Sequence, residues 1–414
     1  MAGADYWSRI KGGGDPSSAA TRPRTSAMTK LAGNWNYPTS IRFGAGRIVE
    51  LADACKAALI ERPLLVTDRG LGQSAMVRDA LAAAQAAGLE VAVFSDFGGD
   101  PTGGDVEAGA AALRAHRGDG VIAFGGGSAL DAGKAVAFAA FQDRPLWAFE
   151  DIGDNYLRAD PSRILPVVAV PTTAGTGSEV GRASVIRDEA AQVKRIIFHP
   201  LMLPKIVIAD PVLTVGLPPG LTAAVGMDAL SHNLEAFFAP AYHPLARGIA
   251  VEGARLVKDW LPIAVSNGAD IEARSNMLAA AQAGATAFQR GLGAMHALAH
   301  PLGALYGVHH GLLNAVLMPY VIRANMPVIG NDAAWLARSL GVGAEGPDLL
   351  AWIVALRREI GIPAGLAQVG VPTGEIARIA ATAIDDPSAA TNPIAFTSTE
   401  YAAILEAALA SELG

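Results

Sequence analysis

The sequence predicts an α/β half followed by an all-helical half, and three observations carry that prediction. Between residues 41 and 210, short apolar or β-branched runs alternate with alanine-rich stretches of helical length. Past the segment 210–220, with Pro211, Pro218 and Pro219, strand signals stop and helical periodicity takes over. The 414 residues, 51% of them apolar, suffice for two or three cores at about 150 residues per domain.

Taken in order, strands are expected at 64–67, 90–94, 121–124, 164–170 and 205–209, runs apolar enough to be buried on both faces. Helices at 70–87, 104–116 and 128–141 lie between them. Strand–helix–strand order requires crossover connections, so the sheet should be largely parallel and covered on both sides. Further helices are expected at 221–238, 245–262, 271–290, 309–323, 349–360 and 398–413, several with Gly or Pro near an end. No fixed-period repeat or heptad array is present. The resulting division is a loose tail over 1–34, an α/β domain over 35–212 and a helical domain over 213–414.

Composition excludes several functions. A formal net charge of −7 and a pI near 5.6 provide no global basic field for a phosphate polymer, so nucleic acid is not an expected partner. The single cysteine, Cys55, can close no intrachain disulfide and build no multi-thiolate site. That points to a reducing, cytoplasmic setting, and leaves histidine and carboxylate as the available metal ligands. The mean hydropathy of +0.31 comes from dispersed Ala, Val and Leu. Apolar runs such as 135–141 fall short of the ~18 residues a membrane span needs, so a soluble chain with no membrane partner is expected. The first 29 residues contain no apolar h-region, and Met28 offers an alternative start.

Two loops look built for a nucleotide. The run 121–124 leads into Gly125, Gly126, Gly127 and Ser128 and then a helix holding Asp131 and Lys134. Missing side chains let backbone N–H groups approach a diphosphate, and the helix N-terminus adds partial positive charge. Ser128 can donate to phosphate or cap the helix. The second loop, 171–179, gathers Thr172, Thr173, Thr176 and Ser178 around Gly175 and Gly177 after another strand. Two such loops on one sheet favour a Rossmann-like domain with a dinucleotide along the C-terminal edge of its strands. Asp68, after the first predicted strand, could accept from a ribose diol or act as an N-cap. Ordinary tight turns would use the same glycines and threonines without a ligand.

Histidine is concentrated in the second half: six of eight, His232, His243, His296, His300, His309 and His310, fall within residues 228–310. Asp228 and His232 are four apart, as are His296 and His300, which on a helix places each pair on one face. An isolated pair of this kind is an ordinary helix-surface contact. Two pairs and the 309–310 doublet together suggest a site for one divalent ion, Fe(II) or Zn(II) by ligand type. His243, beside Pro244, is expected to be solvated, and His116 and His199 receive no role.

These motifs together resemble the iron-containing alcohol dehydrogenase family, whose dehydroquinate synthase-like fold joins a parallel-sheet domain to a helical one. Four stretches carry the resemblance: Gly125 to Asp131, Pro171 to Glu179, Gly226 to His232, and His296 to Gly303 continuing to His310 and Gly311. It implies that Asp228, His232, His296 and His310 ligate the metal and that His300 handles a proton beside the nicotinamide. His310 is preferred to His309 because Gly311 follows it. By the same resemblance Gly126, Gly127, Ser128 and Asp131 belong to the diphosphate side, Thr172, Thr173 and Thr176 line the nicotinamide, and Asp68 and Lys194 adjoin the cofactor.

The implied reaction is reversible oxidation of a primary alcohol or small hydroxy acid to the aldehyde, with the ion polarising the substrate oxygen and hydride passing to nicotinamide. An anionic Asp68 repels a 2′-phosphate, so NAD is the expected cofactor. Fe(II) is the first choice of metal, since it keeps a position open for substrate more readily than four-coordinate Zn(II). The segments 203–205, 291–293 and 309–311 look most like the 4-hydroxybutyrate dehydrogenase branch, with Arg182 as a candidate partner for a substrate carboxylate. A homo-oligomer, most simply a dimer, is expected from the family. The competing readings are a dehydroquinate synthase-like lyase and a non-catalytic nucleotide-binding protein with a structural metal.

Overall fold

The computed structural model describes residues 37, 39–191 and 193–413, and the expected tail over 1–34 lies outside them. The first half contributes β1 (Ser40–Phe43), α1 (Leu51–Ala57), β2 (Pro63–Val66), α2 (Ala75–Ala86), β3 (Ala92–Phe94), α3 (Gly103–His116), β4 (Gly120–Gly125) and α4 (Gly127–Ala139). It ends with β5 (Val167–Pro171), β6 (Ala183–Asp188), β7 (Val193–Phe198) and β8 (Ile206–Ala209). Six of these strands form one parallel sheet in the order β1-β8-β5-β4-β2-β3. Strand order reverses between β2 and β4, which opens a crevice at their C-terminal ends, where Asp68 and the Gly125–Ser128 turn lie.

Alternation in β4 explains the two covered faces. Ile122 and Phe124 join Leu65, Val168 and Val170 against α1 and α2, whereas Val121 and Ala123 point the other way, towards α3 and α4. The second cluster is continuous with the helical half and runs from Leu64 to Ala408, so one core spans both expected domains. The antiparallel β6–β7 hairpin, absent from the sequence-based expectation, has alternately buried residues along β6 and packs on α4.

The second half contains α5 (Pro219–Phe238), α6 (Pro244–Ser266), α7 (Ile271–Ala287), α8 (Ala294–Tyr306), α9 (His310–Leu340), α10 (Gly346–Glu359), α11 (Ile376–Ile384) and α12 (Ser398–Leu409). Helix α5 is central, with only its first turn reaching solvent, which is why its sequence shows little polar striping. Helix α9 runs past the expected end at 323 and through Pro327. A helix-interior proline costs ~3 kcal/mol, and burial of Ile329, Ala333, Leu336, Ala337 and Leu340 offsets it. Of the described helices, α9 is long and apolar enough to cross a membrane, yet 67% of its most apolar window is buried in the protein.

Candidate active site

The glycine turn after β4 is made by close approach. Gly125 has φ +145°, and a Cβ on Gly127 would lie 2.6 Å from Thr176 Cγ2, so only glycine lets this turn press against the hydroxyl loop. Gly126 likewise faces Thr173. The two loops proposed from sequence are thus in contact, and Thr172 N–H donates to the Gly125 carbonyl at 2.9 Å. Asp68 reaches the same place: Oδ1 accepts from the amides of Gly70 and Leu71, and Oδ2 lies 3.7 Å from where a Gly125 Cβ would stand.

Three residues singled out in the sequence have protein partners of their own in the structure. Ser128 does not cap α4; the helix starts at Gly127 with Gly126 as N-cap, and the Ser128 hydroxyl donates to the Gly99 carbonyl. Asp131 faces inward, with Oδ1 accepting from Ser178 Oγ and Oδ2 from the Val185 amide at 3.0 Å, so its two oxygens tie α4 to the hydroxyl loop and to the hairpin. Arg182 stays beside the Phe198 ring, 5.4 Å from its centroid, near the end of the hairpin remote from Lys194. With ~3.3 Å per strand residue, the five steps from Arg182 to Arg187, the partner of Lys194, separate the two by ~16 Å of backbone.

Lys194 points towards the histidine cluster. Its ammonium pairs with Asp100 at 2.9 Å and lies 4.0 Å from where a Gly303 Cβ would stand on α8. Glu179, at the end of the hydroxyl loop, is buried against α7 and accepts from Gln282 Nε2 at 3.2 Å. Burial pushes its carboxyl up to about 7 despite the nearby charge of Lys134. Lys134 is itself buried, donating to the carbonyls of Ser178 and Ala183.

Helices α5, α8 and α9 converge on the expected metal centre. One ligand atom each from Asp228, His232 and His296 can be chosen so that all three lie within 4.8 Å of one another. His310 adjoins them, its Nε2 3.7 Å from Asp228 Oδ1, while His309 is exposed at the N-cap of α9. Burial pushes His232 down to about 4 and His310 well below the ordinary imidazole value, keeping both rings neutral with lone pairs available. A buried carboxylate with neutral imidazoles and no thiolate fits a divalent first-row ion. A Cβ on Gly175 would lie 2.8 Å from Val225 Cβ, so the hydroxyl loop abuts α5, the helix that carries Asp228 and His232.

Sequence reasoning missed three residues. Glu235, one turn after His232, accepts from His296 Nδ1 at 2.6 Å through Oε2 and from the Met295 amide at 2.7 Å through Oε1. It therefore holds the His296 ring and caps the N-terminus of α8, helped by Asn392, which accepts from the Ala294 amide at 3.1 Å. Burial opposes protonation of His296, but Glu235 outweighs it and raises the pKa. Asp386, far along the chain, accepts from His300 Nδ1 at 2.7 Å. Asn314 touches the cluster from α9 and is treated below. The i, i+4 spacings read from the sequence were Asp228–His232 and His296–His300; the same spacing of His310 and Asn314 is the signal that could have found Asn314, whereas Asp386 and Asn392 come from distant segments. His243 is also not solvated: it is buried and caps α6, with Nδ1 accepting from the Ala246 amide at 3.2 Å.

Two family models match the chain: iron-containing alcohol dehydrogenase over residues 38–211 and the C-terminal domain of the same family over 222–409. The chain belongs to the iron-containing alcohol dehydrogenase family. Among curated relatives of this dehydrogenase, a 4-hydroxybutyrate dehydrogenase of Cupriavidus necator is 40% identical, with 89% of this chain and 98% of the relative covered. An NAD-dependent methanol dehydrogenase of Bacillus methanolicus is 34% identical over 91% of this chain and all of the relative. A solved 1,3-propanediol oxidoreductase superposes with TM-score 0.86 at 34% identity, covering 91% of this chain and 99% of the other. Sulfoacetaldehyde reductase from Bifidobacterium kashiwanohense, solved with NAD+, superposes with TM-score 0.82 at 31% identity, covering 91% and 99%.

Proposed function

We propose that this dehydrogenase moves hydride between NAD and a primary alcohol or small ω-hydroxy acid, with one Fe(II) held by Asp228, His232, His296 and His310. The observation carrying this reading is the convergence of Asp228, His232 and His296 within 4.8 Å, on helices of which α5 packs against Gly175 of the hydroxyl loop. When bound, the ion supplies Lewis acidity at the substrate oxygen.

The chain's own residues supply the rest. The Gly125–Gly127 turn and the start of α4 bind the diphosphate, Thr172, Thr173 and Thr176 orient the nicotinamide, and Asp68 favours an unphosphorylated ribose. His300 Nδ1–H is held by Asp386, which leaves Nε2 as the atom that takes the substrate proton on oxidation and returns it on reduction. Glu235 keeps His296 in the tautomer with a free Nε2 lone pair.

The similarity to the Cupriavidus necator enzyme favours 4-hydroxybutyrate. Because Arg182 lies with Phe198, Arg182→Ala should leave the ratio of kcat/KM for 4-hydroxybutyrate over 1-butanol unchanged. A selective loss on the hydroxy acid would return Arg182 to the substrate site. The reading itself is tested by following NADH formation at 340 nm with anaerobic protein, Fe(II) and a panel of alcohols and hydroxy acids. Turnover that a chelator removes and Fe(II) restores is expected; NAD binding without turnover on any of them would overturn it.

A further inference from the structure

Asn314 is fully buried on α9, one turn beyond His310, and its amide nitrogen is shared among three groups of the candidate metal centre. Nδ2 lies 2.9 Å from Asp228 Oδ1, 3.1 Å from His310 Nε2 and 3.2 Å from His296 Nε2. The nitrogen is thus nearly equidistant from three atoms of the proposed ligand set. Two N–H bonds cannot satisfy three acceptors, and Asn314 Oδ1 is buried with no hydrogen-bond partner. An amide kept in such surroundings costs stability unless it serves the site.

We propose that Asn314 is a positioning residue of the metal centre: it donates to Asp228 and fixes that carboxylate. The inference rests on the metal reading above. The contact with Asp228 is the shortest of the three and the only one to an anionic acceptor, and charge-assisted bonds of this kind are the stronger. An ion claims the lone pairs of His296 and His310, which leaves Asp228 as the acceptor the amide retains. The side chain carries no charge and no titratable proton, so it orients the anionic ligand without altering the charge of the site.

The test is Co(II) binding, measured by competition with a chelating dye and by the visible ligand-field spectrum, on wild type, Asn314→Ala and Asn314→Leu. Leucine fills nearly the same volume without a donor, and NAD binding reports whether each variant keeps its fold. The expected result is one Co(II) per wild-type chain and, in both variants, affinity 10- to 100-fold weaker with a changed spectrum. Wild-type affinity and spectrum in a folded variant would overturn the proposal while leaving the metal reading intact. Failure of wild type to bind one Co(II) per chain would overturn the metal reading first. Should neither variant fold, a crystal structure of the Co(II) protein decides: Asn314 Nδ2 within hydrogen-bond distance of Asp228 supports the assignment, and an amide turned away from it refutes it.

Discussion

Glu235 shows how one side chain serves two purposes at the scale of the residue. Its two oxygens are divided between the His296 ring and the Met295 amide of α8, so the carboxylate that holds the ring also fixes the helix that presents it. Glu235→Gln keeps the shape and removes the charge, and metal affinity should fall 10- to 100-fold with NAD binding intact, measured by chelator competition. Asp386→Asn should lower kcat at least tenfold with metal content unchanged, because it disturbs the tautomer of His300 rather than the ligands. Glu179 gives a pH prediction. Its folded-state value of about 7 lies above the unfolded carboxyl value, so between roughly pH 4.5 and 7 the folded chain retains a proton that the unfolded chain has released. That contribution to stability is complete at low pH and declines as pH rises through this window. Urea midpoints of wild type and Glu179→Gln should therefore diverge as pH is raised from 5 to 7.5, with wild type losing more.

Individual elements were legible in the sequence to the extent that their pattern is local. The strands β2, β4, β5 and β8 lie within or almost within their expected ranges because buried parallel strands are continuous apolar runs. The β6–β7 hairpin was not legible: its connection offers no Asn-Gly or Asp-Gly signal, and its stability comes from packing on α4 and the Asp131 tie. The end of α9 was misplaced because proline is read as a stop, whereas tertiary packing carries the helix to Leu340. In the site, i, i+4 pairing exposed Asp228, His232, His296 and His300, while Asp386 and Asn392 could not be connected to them from spacing of 86 or more residues. The glycine turn belongs to this scale too. Gly127→Ala places a methyl 2.6 Å from Thr176 Cγ2, which forces the two loops apart. The expected effect is a KM for NAD raised roughly tenfold with metal content unchanged, since the clash is confined to the cofactor loops.

The whole molecule places two chemistries against each other. The crevice where strand order reverses holds the nucleotide loops, and the hydroxyl loop packs through Gly175 against α5, which carries Asp228 and His232. One continuous core joins the halves, and Gly177, with φ +62° and no room for a Cβ beside Ala281 and Ala285, sets their approach. The division at 35–212 and 213–414 therefore marks a change of architecture within one packed body. The central claim is that a single ion, gripped by the helical half, faces the cofactor held by the sheet half. Metal stoichiometry of anaerobically purified wild type and His296→Ala, with NADH formation from 4-hydroxybutyrate on the same samples, tests it most directly. The account predicts about one Fe(II) per wild-type chain with turnover, and loss of both in a variant that still binds NAD. A variant that keeps its iron and its full rate would contradict it.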